Sequence, residues 1–307
     1  MTPRVKTPAK SEVSLRVRGR RWTARLLAAA LLLAAIASGG YALWRAVRPQ
    51  VIAGPQFIVT AAAVNVTPPP PWIRSDVKED VVRDINLAGP ISVLDEDLGE
   101  RFYEAFAAHP WVAKVVRVLK RPPAGVDVEV VYRKPVLMVK VPDGLLPVDG
   151  DAVQLPTADF SPLEASHYPR LVEIEGVTSP PSGTRWSERR VVAAAALAAV
   201  LVDAWQELDL HYLAVAPESA GLPAGSFEFE LFTKGGTRIA WGLSPAGHDE
   251  DRAASADKLS RLRHYAAEHG TLDNPRAPQD LDVRAPQGVI ATPRTAARFE
   301  TERASYE

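Results

Sequence analysis

The fold of this chain is decided by residues 109–141, HPWVAKVVRVLKRPPAGVDVEVVYRKPVLMVKV. The stretch holds three segments rich in valine that are separated by prolines, a pattern typical of consecutive β-strands. Residues 112–120 form the first predicted strand, and the PPAG sequence at residues 122–125 supplies the chemistry of a tight turn. A second strand at residues 126–131 completes a hairpin, and a third strand follows at residues 136–141.

The middle strand alternates between apolar and charged side chains. Val126, Val128 and Val130 share one face, whereas Asp127 and Glu129 lie on the other. This alternation is typical of a sheet with one buried and one solvated face. We therefore predict that the three valines face a hydrophobic core.

Upstream of the hairpin, the sequence predicts one strand and two helices. Residues 57–66 read as the strand, and the tetraproline at residues 68–71 ends it. Ser75 is placed to cap the first helix. That helix buries three valines at helical spacing, Val77, Val81 and Val82.

The second helix begins near Asp95 and ends at His109, because the residue before a proline is disfavoured in the helical region. Its core-facing residues are Leu98, Phe102, Ala105 and Phe106. The order strand, helix, helix, strand, strand predicts an α+β unit.

The remainder of the chain predicts a mixed β domain with packed helices. A helix is predicted over residues 187–208. Its apolar run is too short to span a bilayer, so we expect the helix to pack on a sheet. The glycines of residues 234–236 predict a hairpin turn. The other expected elements are a hairpin at residues 146–153, strands at residues 227–232 and 237–241, a helix at residues 249–269 that ends at Gly270, a strand at residues 281–291 that is interrupted at residues 286–288, and a disordered tail at residues 294–307.

An apolar run near the N-terminus predicts a membrane span. No charged residue lies between Arg25 and Arg45, and residues 26–44 are long enough to cross the ~30 Å hydrocarbon core. The first 49 residues carry ten basic groups and one acid, so residues 50–307 carry 26 basic and 36 acidic groups. Basic residues stay on the cytoplasmic side, which predicts an N-terminus inside and an acidic region outside.

A cleaved signal peptide is the competing interpretation of this run, with residues 35–37 as a small-residue cleavage site. The long basic region and the length of the apolar run favour a retained anchor in contact with the lipid bilayer. The absence of cysteine excludes a lipoprotein anchor and disulfides. An acidic outer region disfavours nucleic acid as a partner.

The sequence offers no convergent catalytic set, so we expect no enzyme activity, no metal, no cofactor and no small-molecule substrate. Residues 248–251 (HDED) are better explained as acids at a helix N-terminus than as metal ligands. His264 and His269 are five residues apart and do not share the helical face that zinc-binding pairs use. Ser244 lacks the second glycine of a nucleophile elbow.

Seven short motifs follow one another along the chain: HPWV at 109–112, VVRV at 115–118, RKPV at 133–136, VDGD at 148–151, GG at 235–236, KL at 258–259 and DVR at 282–284. In order and spacing this series resembles the FtsQ/DivIB family of bacterial cell-division proteins. The series departs from the family at Tyr132, where an acid is usual. It also departs at Ala285 and Pro286, where the family often has an aromatic and a polar residue.

The resemblance implies a scaffold without catalytic activity. Proteins of this family are single-pass proteins of the inner membrane, with a cytoplasmic N-terminus and two periplasmic domains, a POTRA domain and a larger β domain. They recruit FtsB- and FtsL-type divisome proteins to the septum by accepting a strand at an open sheet edge. By position, the contact residues are Arg284, Ala285, Gln287, Gly288 and Val289. Pro286 cannot donate a backbone hydrogen bond, so pairing there is expected to be broken or bulged.

The resemblance and the residue patterns together give the expected organisation. The expected segments are a basic cytoplasmic tail at 1–21, a transmembrane helix at 22–44, a tether at 45–56, a POTRA-like domain at 57–141, an FtsQ-type β domain at 142–293 and the tail at 294–307. The edge of the POTRA sheet would be a second docking surface. Two alternatives stay open: a POTRA-bearing component of an envelope secretion or assembly system, and an anchored cell-wall hydrolase.

Overall fold

The structure is a computed structural model, and the part of the chain that it describes comprises residues 14–52, 54–87, 91–172, 174, 176–217, 222, 226–245, 249–274 and 278–294. Most of the predicted basic tail falls within residues 1–13, and these lie outside the described residues. The same holds for His248 and for residues 295–307 of the predicted C-terminal tail.

The first element is one long helix, α1, at Ser14–Ile52. Its segment Arg25–Arg48 has 24 residues, none of them buried, and is long and apolar enough to cross a membrane. The helix continues beyond the predicted end of the span, so residues 45–52 of the expected tether are helical. Residues 45–48 carry neither glycine nor proline, which is consistent with continuation of the helix.

Residues 57–132 form a first unit, in which two helices cover a three-stranded sheet. The order of the sheet is β1-β3-β2, with β1 parallel to β3 and β2 antiparallel to β3. The element order strand, helix, helix, strand, strand is the predicted one. The elements are β1 (Val64–Val66), α2 (Val77–Leu87), α3 (Leu98–Ala108), β2 (Val112–Arg121) and β3 (Gly125–Tyr132).

The core of the first unit lies between the helices and one face of the sheet. Val126, Val128 and Val130 are at most 4% exposed, as the alternation predicted. The helical residues that the spacing assigned to the core are also buried, with Ala105 only partly so. Burying aliphatic and aromatic side chains of this size contributes roughly 1.5–3 kcal/mol each.

Two local predictions for the first unit are wrong. The first strand is confined to Val64–Val66, and the residues before it form short 3₁₀ turns at Pro55–Phe57 and Ala61–Ala63. Alanine is depleted in strands because it offers little side chain to pack, which limits the strand to its valine-rich end. The cap of α2 is Asp76, whose Oδ1 accepts the backbone N–H of Glu79 at 3.0 Å.

The second unit, residues 135–294, is built on one eight-stranded sheet of order β11-β10-β9-β8-β7-β6-β4-β5. Its strands are β4 (Pro135–Val141), β5 (Gly144–Asp149), β6 (Arg170–Leu171), β7 (Leu210–Val215), β8 (Glu228–Thr233), β9 (Arg238–Leu243), β10 (Gln279–Asp282) and β11 (Ile290–Pro293). Strand β4 pairs with β5 and β6, although it was predicted within the first unit. The change of sheet therefore falls at residues 133–134, next to Pro135, which cannot donate a ladder hydrogen bond.

Helices α5 (Arg189–Leu201) and α6 (Asp249–His269) belong to the main core of the second unit, together with one face of the sheet. Trp205, Phe229 and Trp241 are fully buried in that core. Helix α5 ends before the predicted residue 208, in a series of turns. A short helix, α4 (Pro162–Ala165), was not predicted, although Ser161 and Glu164 form the capping box that signals its start.

Candidate partner-binding edge

The C-terminal end of the chain forms one edge of the eight-stranded sheet. Strand β10 runs parallel to β9, and β11 turns back to pair antiparallel with β10. The strand predicted over residues 281–291, with an interruption at residues 286–288, is in fact two strands joined by a longer connection at residues 283–289. All four residues of β11 are exposed, and Ile290 retains 56% of its accessible surface.

The outward-facing backbone groups of β11 follow from its register. Arg294 donates its N–H to the carbonyl of Pro278 at 2.9 Å, so the backbone groups of Arg294 point towards β10. Hydrogen-bonded pairs alternate in an antiparallel ladder, so Thr292 and Ile290 also point towards β10. The backbone groups of Ala291 and Pro293 therefore point away from β10, towards the open side of the strand. Proline has no N–H, so within β11 only Ala291 offers both an N–H and a carbonyl to an added strand.

The opposite edge of the same sheet is covered. Residues 153–155 run alongside β5, where Leu155 donates its N–H to Pro147 at 2.8 Å and Asp149 donates to Val153 at 3.1 Å. An unpaired strand edge is a template for pairing with another chain, and proteins cover the edges that they do not use. Within the described residues, β11 has no such cover.

The five predicted contact residues lie in the connection between β10 and β11 and not on a strand. Gly288 has a φ of +144°, a conformation that favours glycine and reverses the chain before β11. Pro286 also lies in the connection, so it belongs to neither β10 nor β11.

The five residues differ in what they contact. Arg284 and Gln287 are exposed, whereas Ala285 and Gly288 are only partly exposed. Val289 is partly buried and packs against the core of the second unit. A substitution at Val289 would therefore disturb the fold as well as the edge.

Arg284 is held by the acid that precedes it by two residues. Its backbone N–H and Nε donate to Asp282 Oδ1 at 2.9 and 3.0 Å, and its second guanidinium nitrogen donates to Oδ2 at 2.7 Å. These hydrogen bonds lower the pKa of Asp282 below its ordinary value, although partial burial opposes the shift. The pair fixes the direction of Arg284 at the start of the connection.

Two further cations lie near Arg284. Lys258 Nζ donates to the carbonyl of Trp241 at 3.0 Å and lies 5.6 Å from the centroid of its ring. Burial lowers the pKa of Lys258, and the positive charges of Arg261 and Arg284 lower it further, against the opposing effect of the Glu228 and Asp282 carboxylates. Arg261 donates to the carbonyl of Val283 at 2.9 Å. We call Lys258, Arg261 and Arg284 the basic cluster. Asp282 and Glu228 lie beside Arg284 and neutralise part of this charge, and the positive charge that remains suits a carboxylate carried by a bound chain.

Gly242 permits the close approach of β9 to this cluster. Its φ is +81°, and a Cβ at this position would meet Arg284 Cγ at 3.0 Å. Lys258 was noted in the sequence only as part of the KL motif, and no periodic pattern places Lys258 or Gly242 beside the connection. The bounds of β11 were not predicted, because a four-residue strand after a proline and a glycine has no alternation long enough to detect.

The residues considered for catalysis make structural contacts. Ser244 Oγ donates to the carbonyl of Ala193 at 2.6 Å, which ties β9 to α5. His264 lies 3.3 Å from Glu268, and His269 Nδ1 lies 2.9 Å from the carbonyl of Tyr265. Among the described residues, no group of three or more acidic or histidine side chains is placed to hold a metal ion.

Comparison with known proteins assigns no family. No family model matches the chain, and no curated protein sequence matches it.

Proposed function

We propose that this chain is a non-enzymatic, single-pass membrane scaffold of the bacterial division machinery that binds FtsB- and FtsL-type partners by strand addition. The motif series that resembles FtsQ/DivIB proteins supports the family, and the α+β organisation behind one apolar helix is compatible with it. The observation that carries the proposal is that, in the part of the chain that the structure describes, the backbone edge of β11 is open whereas the opposite edge of the sheet is covered.

Strand addition at β11 would use its outward backbone groups. A partner strand would accept from the N–H of Ala291 and donate to its carbonyl oxygen, as in other complexes that extend a sheet. Pro293 limits the length of this pairing because it has no N–H to donate. Side-chain contacts must therefore supply much of the affinity and the register.

The connection at residues 283–289 and the basic cluster are the side-chain part of the proposed site. Arg284, Ala285, Gln287, Gly288 and Val289 lie immediately before the edge strand, where a partner that continues beyond β11 would reach them. An acidic partner residue would meet the basic cluster, and the charge complementarity would favour one register over others.

The proposed location is the inner membrane at the division site. The basic N-terminal region predicts that this end of α1 is cytoplasmic, which would place both folded units in the periplasm. A POTRA-like role for the first unit is also part of the proposal, with an edge of the three-stranded sheet as a second docking surface.

The decisive experiment combines localisation with a backbone-specific substitution. A fluorescent protein fused to the N-terminus of the full chain should form a band at midcell in dividing bacteria. Ala291→Pro removes the outward N–H without removing a hydrogen bond to β10, and it should clearly reduce photocrosslinking from position 290 to an FtsB-type partner. Ala291→Val is the matched control, because it retains the N–H and should retain the crosslink.

The outcomes separate the proposed function from its main alternative. An even membrane distribution throughout the cell cycle would contradict a division role and favour an envelope secretion or assembly component. Midcell localisation with undiminished crosslinking in Ala291→Pro would preserve the division role and reject strand addition at β11.

A further inference from the structure

The two units are joined by a segment of the second unit that inserts into the first. This bridging segment, residues 155–168, follows β5 and leads into β6. Leu155 is fully buried in the hydrophobic core of the first unit, although it belongs to the second unit in sequence. Phe160 packs on Trp111 with ring centroids 6.0 Å apart and on Tyr168 at 5.9 Å. The segment thus links the cores of both units.

Asp159 is the polar centre of this joint. Its side chain is buried, and it accepts four hydrogen bonds from residues of the first unit. Oδ1 accepts the backbone N–H groups of Arg74 and Ser75 at 2.9 and 2.7 Å. Oδ2 accepts Trp111 Nε1 at 2.7 Å and the hydroxyl of Ser75 at 3.1 Å.

Two ion pairs reinforce the joint on either side of Asp159. Arg133, at the exit from β3, lies 2.7 Å from the carboxylate of Asp149, and both side chains are at least four-fifths buried. Arg74 also forms an ion pair with Glu164 in α4. That second pair is more exposed and therefore contributes less.

From this geometry we infer that Asp159 locks the two units into one rigid body. A buried carboxylate with four donors opposes separation of the units, because moving them apart would break four hydrogen bonds at once, and hydrogen bonds to a charged group are stronger than those between neutral groups. Two units of one chain ordinarily move relative to one another unless their interface is large and apolar, so such a lock changes the expected behaviour of the chain. The inference concerns the joint alone and does not depend on the proposed partner.

The lock can be tested by pulsed electron paramagnetic resonance on the full chain in detergent micelles. The sequence has no cysteine, so spin labels at Ala107→Cys in α3 and Ala267→Cys in α6 would be specific. Both positions are exposed and lie in different units. The parent should give one narrow distance distribution, and Asp159→Ala should give a clearly broader one.

Two further variants make the result decisive. Asp159→Asn keeps an oxygen for the two backbone N–H groups but cannot accept from Trp111 at its amide nitrogen, so it should broaden the distribution less than Asp159→Ala. Ser166→Ala is the matched control in the same segment, because the exposed Ser166 hydroxyl donates to the carbonyl of Leu163 within that segment. It should leave the distribution unchanged.

Circular dichroism would establish that each variant is folded, and if Asp159→Ala does not fold, Asp159→Asn decides alone. A parent distribution as broad as those of the Asp159 variants would overturn the inference. Folded Asp159 variants whose distributions coincide with that of the parent would overturn it as well.

Discussion

Gly235 lies directly against the carboxylate of Asp273, so closely that a Cβ at Gly235 would overlap all three carboxylate atoms. Asp273 stabilises the β8–β9 turn, where it accepts the hydroxyl of Thr233 and the backbone N–H of Thr237 at 3.3 Å. The hydroxyl of Thr237 in turn donates to the carbonyl of Leu272 at 3.1 Å. The two residues thus connect the turn to the chain that follows α6.

We expect Gly235→Ala to lower the free energy of unfolding by about 1–3 kcal/mol, because the new methyl group must displace Asp273 from the turn. Urea denaturation of the full chain in detergent, followed by tryptophan fluorescence, would measure the loss. Gly99→Ala in α3 is the control, since a Cβ there meets nothing within 4 Å. It should be neutral or stabilise by up to about 1 kcal/mol. Equal stability of the parent and Gly235→Ala would show that Asp273 can move without cost.

Val128→Asp should destabilise the first unit by a few kcal/mol, because it places an unpaired charge in the core. Val131→Asp is a control on the same strand, since Val131 is 49% exposed whereas Val128 is 3% exposed. Thermal unfolding by circular dichroism would compare the two variants. A similar small loss in both would mean that β3 does not bury the face that contains Val128.

The sequence alone was sufficient to predict the core residues where a local pattern and the tertiary contacts agree. Val126, Val128 and Val130 alternate over a complete strand, and Leu98, Phe102 and Phe106 repeat at helical spacing, so both sets were assigned correctly to the core. It was insufficient where partners lie far apart in sequence. Nothing near Asp159 indicates that its donors are Arg74, Ser75 and Trp111, which lie 48 to 85 residues away.

The edge of the sheet shows the same limit. The region that contains the proposed contact residues was identified from motifs. Its division into two strands depends on the pairing of β10 with β9 and with β11. A strand of four residues is too short to show period-two alternation reliably. The edge strand is therefore evident only from the register, in which the backbone groups of Ala291 point outward and those of Ile290 point towards β10.

Ile290→Asp should weaken recruitment of the proposed partner while leaving folding stability within about 0.5 kcal/mol, because the side chain is largely exposed on the edge strand. Val289→Asp should instead lower the melting temperature, since Val289 packs on the core. Midcell fluorescence of a labelled FtsB-type partner and thermal unfolding of the purified chain would be measured for both variants. Unchanged recruitment in Ile290→Asp would argue against a partner strand beside β11, and a melting temperature unchanged in Val289→Asp would contradict its packing.

His109 gives the fold a dependence on pH. It follows α3 and is half-buried, and its Nδ1 accepts the backbone N–H of Trp111 at 3.3 Å. Burial lowers the pKa of His109, and this effect outweighs the opposing charges of Asp80, Asp84 and Asp159. The unfolded chain therefore binds the proton more readily than the folded chain. Stability from this residue should be fully present above the ordinary histidine pKa of about 6.5 and fall as the pH decreases below it.

Urea midpoints between about pH 7.5 and pH 5 would test this, because that interval brackets the ordinary histidine pKa. His109→Asn should show a smaller decrease in stability over the interval than the parent, since its side-chain oxygen can still accept from Trp111 but does not titrate. His264→Gln is the control, because His264 has 75% of its side-chain surface exposed and should leave the pH dependence unchanged. If His109→Asn loses as much stability as the parent on acidification, protonation of another group controls unfolding in acid.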